Sequence, residues 1–455
     1  MSAPILDRKI GIETYVTKSP GIGGVIKKEI EDFVVEEILV DGSKAQVSGT
    51  LPARVLGSTL QRQRFLLCVL IKRGWDTLIA VKNVAKQLGI DQGRIQVAGI
   101  KDARAVTAQH VTIEGGEFED ASRIYVKDIS LQPVGYVREA LSAYYLRGNC
   151  FSIRVRGMLR SKSIIEEHTT QAMQELENAG GLPNFYGHQR FGTTRPITHL
   201  VGKEIIHGNF EEAAMLFLAL PSPDEHPHGR QARKQLQETR NFKQALDAFP
   251  KQLRFERVML LHLNENPSDF LGAFHRLPLK LQELFVQAHQ SFLFNRFLSA
   301  RLAHCYALNR AIEGDFVVGV ERSGLPMTRS ARMVSSQSVA AVNEQLKVGK
   351  LRVALPIVGL RPKLSCGAMG DIEREILLRE DIPLSGLRVN PLSFVCGKGG
   401  LRATVAPIQD FVFKVVPNTE IGWEADLSFT LQRGCYATAF LREIMKPEKP
   451  LEAGF

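Results

Sequence analysis

The order of strand-like and helix-like patterns along the chain constrains the fold more than any other feature of the sequence. Strand patterns occur in the first 192 residues, as in "RFLLCVLIKRG" at 64–74, and they return in "LRATVAPIQDFVFKVVP" at 401–417. Helical patterns such as "LKLQELFVQAHQSFLFNRFLSARLAHCYAL" dominate between them. A chain of 455 residues also exceeds the size that one hydrophobic core normally serves. We therefore predict an α/β (α+β) fold in which a discontinuous core, residues 1–192 and 405–455, carries an inserted domain over 193–404.

Local patterns predict individual elements within these regions. "NCFSIRVRGM" at 149–158 alternates, which predicts a half-buried strand with Phe151 on its apolar face and Arg154 and Arg156 on a basic outer face. Asp76 or Thr77 is expected to cap one helix, and residues 161–179 are expected to form another. The residues predicted to face inward from these two helices are Leu78, Val81, Ala85, Leu88, Ile164, Ile165, Ala172, Met173 and Leu176. The segment "PSPDEHPHGRQARKQ" is expected to be a loop.

The excess of basic residues suggests a polyanionic partner. The chain has 58 Lys and Arg against 48 Asp and Glu, and clustered cations gain affinity for nucleic acid by releasing counterions from phosphates. The six cysteines form no CxxC pair, so neither a zinc finger nor a disulfide scaffold is indicated; they are Cys68, Cys150, Cys305, Cys366, Cys396 and Cys435. Without a signal peptide or an apolar run of about 18 residues, a cytoplasmic protein without membrane contact is expected. The motifs of phosphate-loop, dinucleotide-binding, serine-hydrolase and zinc-protease sites are absent.

"GIKDARAVTAQ", residues 99–109, places a lone aspartate, Asp102, in a glycine-led turn between Lys101 and Arg104. A solvated turn residue is the ordinary interpretation of such a stretch. A catalytic carboxylate is the alternative, because the two neighbouring cations can keep an aspartate ionised. The local sequence leaves both interpretations open.

"LPNFYGHQRFG", residues 182–192, crowds aromatic residues and glycines together with His188, Gln189 and Arg190. One interpretation is a loop that packs Phe185, Tyr186 and Phe191 inward. The other is an RNA-facing surface, because aromatic rings and Arg stack on bases while Gln and His reach base edges or phosphates. The density of these residues without strand or helix periodicity favours the RNA-facing surface.

"IKKEIEDFVVEE", residues 26–37, reads as a strand centred on Phe33 and rich in acids. Metal binding by these acids is conceivable, but a strand sends neighbouring side chains to opposite faces and no matching His cluster exists. A charged edge strand is the favoured interpretation. Lys27 and Lys28 beside it can face a carboxylate or a phosphate.

Six stretches taken in order resemble the TruD family of tRNA pseudouridine synthases. They are "IKKEIEDFVVEE", "GIKDARAVTAQ", "LRGNCFSIRVRG", "NFYGHQRFG", "QAHQSFLFNRFLSAR" and "YATAFLRE", and they span nearly the whole chain. The long middle region is similar to that of archaeal and eukaryotic members. The resemblance implies a pseudouridine-synthase catalytic domain, with a mixed β-sheet and flanking helices, and an inserted α/β TRUD domain. It also implies that a uridine in tRNA, the main target being position 13 in the D arm, becomes pseudouridine without a metal or organic cofactor and without an obligatory protein partner.

The resemblance also assigns roles to single residues. Asp102 matches the aspartate of the GxKD motif and is expected to be the nucleophile. Lys27 matches a lysine placed near that aspartate. Asn149 and Phe151 match the NxF motif, in which the aromatic ring is expected to stack on the target base after that base is flipped out. Tyr186, Gln189 and Arg190 of the "NFYGHQRFG" signature are expected to bind substrate.

Two rival functions are weighed against this expectation. One is a non-catalytic protein that binds structured RNA through the same basic surface. The other is a metal-dependent nuclease whose acids are Glu31, Asp32, Glu36, Glu37 and Asp102. A basic cluster in "GRQARKQLQETRNFKQ" is expected to help the insertion hold tRNA; its members are Arg230, Arg233, Lys234, Arg240 and Lys243.

Overall fold

The structure, a computed structural model, describes residues 3–51, 54–387, 397–417 and 422–455, and Cys396 lies outside them. Within these ranges the chain is a mixture of strands and helices, which confirms the predicted α/β class. The strands are β1 Phe33–Leu39, β2 Phe65–Arg73, β3 Ile95–Val97, β4 Val106–Glu114, β5 Ile129–Val137, β6 Leu146–Met158, β7 Leu182–Pro183, β8 Phe316–Val320, β9 Pro326–Met333, β10 Leu351–Ile357, β11 Gly400–Ala403, β12 Val405–Ala406, β13 Gln409–Pro417 and β14 Trp423–Gln432.

Helices flank the strands and dominate the middle of the chain. They are α1 Ile5–Lys9, α2 Thr77–Leu88, α3 Phe118–Ser122, α4 Lys162–Asn178, α5 Thr198–His207, α6 Phe210–Ala219, α7 Pro227–Thr239, α8 Phe242–Ala248, α9 Arg254–Glu265, α10 Phe270–His275, α11 Leu279–Ala303, α12 Val339–Lys347, α13 Gly367–Arg379 and α14 Ala437–Met445. Short 3₁₀ turns occur at Ile30–Asp32, Gln92–Arg94, Ala143–Tyr145 and His188–Arg190. In the described part of the chain, no helix is both long enough and apolar enough to cross a membrane.

A large mixed sheet joins the two ends of the chain. Its strand order is β13-β14-β6-β1-β4-β2-β5, with β3 beside β4. β1 runs parallel to β4, and the other neighbours in the sheet are antiparallel. Because β2 covers one edge of β4 along its length, β1 and β3 share the other edge, at residues 106–108 and 111–113 respectively. The connection from β3 into β4 carries Asp102 and ends at Val106, which pairs with Val34 of β1.

Separate apolar cores support the sheet and the middle of the chain. Helices α4 and α14 cover one face of β1, β6 and β14, where Phe33, Phe151, Phe429 and Phe440 pack together. A second core, of helices α5 to α11, also takes in Phe185 and Phe191 from the "NFYGHQRFG" stretch. A smaller sheet of order β11-β10-β8-β9 follows these helices, and the β7–β12 ladder joins the chain before the insertion to the chain after it.

Most predicted elements are present, but β1 is not an edge strand. It lies in the middle of the large sheet between β6 and β4, so the prediction of a charged edge strand is wrong. Cations accommodate the acids of this stretch instead. In the 3₁₀ turn before the strand, Glu31 pairs with Arg73 and Asp32 with Arg156; in the strand, Glu36 pairs with Lys44 and Glu37 with Lys101. Paired acids can therefore occupy a central strand.

The stretch expected to be a loop at "PSPDEHPHGRQARKQ" contains the first nine residues of helix α7. Pro227 stands at the start of the helix, where its fixed φ suits the first turn, and His226 Nδ1 accepts a hydrogen bond from the His228 amide. The buried residues of α7 are Gly229, Ala232, Arg233 and Leu236, which follow helical spacing. An arginine in the middle of this inward stripe concealed the pattern.

Two apolar residues lie off the stripes that the sequence predicted. Asp76 caps α2 by accepting hydrogen bonds from the amides of Leu78 (2.8 Å) and Ile79 (3.2 Å), as expected. Leu78 and Ile164 are nevertheless exposed. The buried stripes of α2 and α4 run through the neighbouring positions Thr77 and Ile165 instead.

The predicted basic face of β6 is largely neutralised. Phe151 faces the core and Arg154 and Arg156 face outward, as the alternation predicts. Arg154 donates two hydrogen bonds to Asp426 on the adjacent strand, at 2.7 and 3.0 Å. Arg156 donates to Asp32 at 2.9 Å and to Glu424 at 3.0 Å. This face therefore offers little unpaired charge to a polyanion.

Two buried histidines in the helical core are expected to make the folded chain less stable in acid. Burial lowers the pKa of His199 to about 4 and that of His289 to about 3. Both stay neutral in the folded chain while the unfolded chain takes up protons below about pH 6.5, so the free energy of unfolding falls as pH drops from 6.5 toward 4. Each histidine is expected to contribute up to about 1.4 kcal/mol per pH unit over that window.

Urea unfolding at pH 6.5 and pH 4.5, followed by circular dichroism, checks this expectation on the wild type and on His289→Phe. The variant keeps a ring beside Phe292 and cannot be protonated. Its stability is expected to fall less between the two pH values. Equal losses in the two proteins would contradict the assignment, because the carboxylates common to both cancel in the comparison.

Candidate active site

One face of the large sheet carries polar and aromatic side chains that line up across the strands. The register aligns one residue from each of β2, β4, β1, β6 and β14, namely Lys72, Thr107, Val35, Phe151 and Phe429. The next row contains Glu37, Asn149 and Leu431. Residues two apart on a strand share a face, so Lys72, Glu37, Asn149 and Phe151 all lie on the side of the sheet toward which the Asp102 turn folds.

Side chains of the sheet and of α2 hold the turn before Asp102 by its backbone. Gln109 Nε2 donates to the Gly99 carbonyl oxygen at 3.0 Å. The Thr77 hydroxyl accepts from the Lys101 amide at 3.0 Å and lies 3.3 Å from the Lys101 carbonyl oxygen. This turn is therefore not an ordinary solvated one, because its polar backbone groups are tied to buried side chains.

A buried ion pair holds the Lys101 side chain away from solvent. Its ammonium lies 2.7 Å from Glu37 Oε1, while Glu37 Oε2 accepts from the His110 amide at 2.8 Å and lies 3.2 Å from His110 Nδ1. Burial raises the pKa of Glu37, but Lys101 and His110 outweigh it, so that the pKa is lowered overall. Lys101 therefore anchors the turn and does not face Asp102 as a free cation.

Lys72 holds the turn at Asp102 itself. Its fully buried ammonium donates to the carbonyl oxygens of Asp102 (2.8 Å) and Trp75 (2.6 Å). Burial lowers the pKa of Lys72 to about 8, although Asp102 and Asp76 attract its charge. A hydrogen bond to the Asp102 carbonyl fixes the peptide that follows this residue.

The Asp102 carboxylate is the part of the turn that solvent reaches. Its side chain is 28% exposed, and Oδ1 accepts a hydrogen bond of 2.6 Å from Gln189 Nε2. Lys27 Nζ lies 4.0 Å from the same oxygen. An exposed carboxylate beside a cation is suited to act as an ionised nucleophile or base.

Lys27 occupies an unusual backbone conformation next to this carboxylate. Its φ is +56°, in the left-handed region that favours glycine, so strain is stored at this position. Its ammonium lies 4.5 Å from the centre of the Phe33 ring, a cation–π contact. Burial lowers the pKa of Lys27, Asp102 opposes that effect and Arg104 adds to it.

Asn149 and Phe151 lie next to this group on β6. Phe151 is 6% exposed, stacks on Phe429 with 5.3 Å between ring centres and meets the edge of Phe33 at 6.2 Å. Lys27 contacts the Phe33 ring, and Phe33 in turn contacts Phe151, so one aromatic ring separates Phe151 from the cation. Asn149 Oδ1 is buried and has no hydrogen-bond partner among the described residues, so it is an unsatisfied acceptor.

The "NFYGHQRFG" stretch sends three consecutive side chains in three directions. His188 Nε2 lies 2.8 Å from the buried Asp7, Gln189 reaches Asp102, and Arg190 donates to Ser291 (3.2 Å) and Gln287 (3.0 Å) of α11. Phe185 and Phe191 pack into the helical core, as the first interpretation predicts, whereas Gln189 is exposed; the RNA-facing surface stays a prediction. The 3₁₀ turn that carries these residues joins the Asp102 site to α11.

Tyr186 lies among cations beside the Asp102 site. The guanidinium of Arg402 lies 4.1 Å from the Tyr186 ring centre and that of Arg190 lies 5.9 Å from it. Tyr436 meets the same ring edge-on at 6.2 Å. Sequence reasoning missed Arg402 and did not single out Tyr436, although "YATAFLRE" contains it. The aromatic and basic composition of this group suits stacking on RNA bases.

The structure keeps the acids of the rival nuclease interpretation apart. Asp32 is bound by Arg156 and Glu37 by Lys101, while Glu31 and Glu36 each pair with another cation. Asp102 is therefore not joined by any of them. No group of three or more His, Cys, Asp or Glu residues able to hold a metal ion occurs in the described ranges.

One residue of the predicted basic cluster is buried. Arg233 donates to Glu225 at 2.9 Å and to Glu256 at 2.7 Å in the helical core, so its expected contact with phosphate is wrong. It packs inward because two carboxylates compensate its charge. Lys234 and Lys243 of the same cluster are exposed.

Comparisons with known proteins match nearly the whole chain to proteins that share one description. The family model described as tRNA pseudouridine synthase D (TruD) matches residues 9–444. A probable tRNA pseudouridine synthase D of Methanosarcina acetivorans is 37% identical over 99% of this chain and 99% of its own. A protein of Pyrococcus abyssi with the same description is 36% identical over 95% of this chain and 98% of its own. The crystal structure of a putative tRNA pseudouridine synthase D from Methanosarcina mazei matches with a TM-score of 0.82 at 36% identity, covering 99% of this chain and 100% of that one.

Proposed function

Because the chain belongs to the TruD family of tRNA pseudouridine synthases, isomerases that convert uridine to pseudouridine in tRNA, we propose that Asp102 is its nucleophile. We further propose that the target base is flipped out of the tRNA to reach Asp102. The target is the uridine at position 13 in the D arm. The family resemblance of the six sequence stretches supports this choice of position.

The observation that carries the proposal is the setting of the Asp102 carboxylate. It is partly exposed, while the backbone on which it stands is tied to Lys72 and, through Lys101, to Thr77 and Glu37. A nucleophile of this kind has to be charged, reachable and held in one place. The Lys27 ammonium, 4.0 Å from Oδ1, places a positive charge beside this carboxylate.

The chemistry that this setting supports is an intramolecular exchange of bonds. The bond between uracil N1 and ribose C1′ breaks, the uracil turns, and a bond from C5 to C1′ forms. The proton on C5 leaves and N1 gains one, so no oxidant or reductant takes part. Asp102 supplies a nucleophilic oxygen, and the bond that this oxygen forms to the substrate breaks again before product leaves, so the carboxylate is regenerated.

Asn149 and Phe151 are proposed to hold the extruded base. Extraction costs a few kcal/mol of lost stacking, and an aromatic partner returns about 1–3 kcal/mol. Phe151 forms a pair with Phe429, so it offers the base a rigid floor. Asn149 Oδ1 is a buried acceptor without a partner on the same face of β6, and once the base is inserted it suits an imide N–H such as that of uracil.

Tyr186, Gln189 and Arg190 are proposed to connect substrate binding with the Asp102 site. Gln189 orients the Asp102 carboxylate, and the Tyr186–Arg190 pair faces RNA. We assign residues 1–192 and 405–455 to the catalytic domain and 193–404 to the TRUD insertion that holds the tRNA. Every described strand of the large sheet falls in the first assignment, which supports this division.

Mapping of pseudouridine in unmodified tRNA transcripts tests the proposed target. The purified chain is expected to modify position 13 of transcripts that carry a uridine there and to leave a matched transcript with cytidine at position 13 unmodified. Modification confined to another position would refute the choice of position 13. Binding without any modification would favour the non-catalytic RNA-binding alternative, and strand cleavage would favour the nuclease.

A further inference from the structure

A buried lysine on β2 holds the backbone of the proposed nucleophile. Lys72 is fully buried near the end of β2, between Thr107 on β4 and Ile129 on β5. Burying an ammonium normally costs several kcal/mol, and an apolar side chain of similar length fills such a site at no such penalty. Its place in the core is therefore not explained by packing alone.

The contacts of Lys72 include the turn that carries Asp102. Its ammonium bridges two carbonyl oxygens from separate segments: Trp75, just before α2, and Asp102. The bridge thereby ties the Asp102 peptide to the start of a helix and to the sheet below. We propose that Lys72 is a positioning residue for Asp102, which sets the direction of its side chain and adds positive charge behind its carboxylate. This inference rests on the proposed role of Asp102 as nucleophile.

Charged groups from several elements lie around Asp102. Lys72 differs from the other cations in what it contacts. The groups are Lys72 of β2, Asp76 at the start of α2, Lys101 and Arg104 of the turn itself, and Lys27 before β1. Lys101 is neutralised by Glu37, and Arg104 is exposed. Lys27 and Lys72 therefore approach Asp102 from two sides, the first at the carboxylate and the second at the carbonyl oxygen.

Replacement of Lys72 by methionine removes the ammonium and keeps the length of the stem. The kcat of Lys72→Met is expected to fall about 100-fold, as for a catalytic group that is misplaced by about 1 Å, while KM for tRNA changes less than about threefold. A purely structural lysine does not lower kcat apart from KM in the folded protein.

Two further variants separate a positioning role of Lys72 from a general effect of the substitution. Lys72→Arg keeps the charge, but its longer, planar guanidinium does not fit the place of the ammonium between the two carbonyl oxygens unless the turn moves, so kcat is expected to fall about 10-fold at unchanged KM. Arg73→Met is the matched control, because Arg73 is the next residue of β2, points to the opposite face and pairs with Glu31. It is expected to have wild-type kcat and KM.

Each outcome decides the inference. A folded Lys72→Met protein with kcat near wild type, or with a rise in KM as large as the fall in kcat, overturns it. If Lys72→Met does not fold, Lys72→Arg decides alone: a reduced kcat at unchanged KM supports positioning, and wild-type kcat assigns the lysine to folding only. Asp102→Asn is assayed in parallel. An active Asp102→Asn protein means that the proposed function has failed, whereas an inactive one beside a normal Lys72→Met protein means that only this inference has failed.

Discussion

Replacement of Asp102 by asparagine is expected to abolish pseudouridine formation while the fold and the affinity for tRNA stay near wild type. Asparagine keeps the size of the side chain and can still pair with Gln189, but it has neither the charge nor the nucleophilic oxygen. The loss of turnover is expected to reach about 10⁴-fold or more, as for other enzymes that lose a nucleophile. Affinity for tRNA is expected to be unchanged or slightly higher, because an anion near the phosphates has been removed.

Single-turnover assays of pseudouridine formation, paired with filter binding, measure both quantities on the same protein. Asp76→Asn is the matched control, because it removes a carboxylate that also attracts Lys72, and asparagine still caps α2. The control is expected to keep most of the activity. Turnover by Asp102→Asn at even about a hundredth of the wild-type rate would exclude Asp102 as the nucleophile, since a lost nucleophile costs far more.

The strands were predictable where burial imposes a pattern on the sequence. β2 is apolar on both faces because apolar cores cover both of them, and β6 alternates because one face is covered by α4 and α14. The position of β1 was not predictable in this way. Its acids resemble those of an edge strand, and only the pairing of each with a cation from elsewhere in the chain allows it to lie in the centre of the sheet.

The residues proposed to act in the candidate site were predictable from the sequence, but the residues that hold them in place were not. Asp102, Lys27 and Phe151 came from the family resemblance, and the structure brings the three together. Lys72 stands at the end of a strand, in "LIKRG", where a charged residue usually marks the return to solvent. Its contact with Asp102 spans 30 positions and that of Gln189 spans 87, so both arise from the fold and neither has a local signal.

Lys27 is the residue for which activity and stability are expected to respond in opposite directions. Its ammonium is buried over Phe33 and beside Asp102, and its backbone is held at positive φ. Burial lowers its pKa, which means that the folded chain disfavours the charge that the proposed chemistry needs. A charge retained against this penalty, in a strained conformation, is typical of a functional site that lowers the stability of its fold.

Lys27→Met is therefore expected to lower kcat by about 100-fold or more, the usual loss when an electrostatic partner of the reacting group is removed. Its free energy of unfolding is expected to be unchanged or higher, because methionine packs on the Phe33 ring without a buried charge. Single-turnover kinetics and urea unfolding on the same preparation measure the two effects. Lys28→Met, the exposed neighbour, is the matched control and is expected to retain wild-type kcat. If Lys27→Met loses activity only in proportion to a loss of folded protein, Lys27 is a structural residue and the electrostatic support of Asp102 has to come from Lys72 alone.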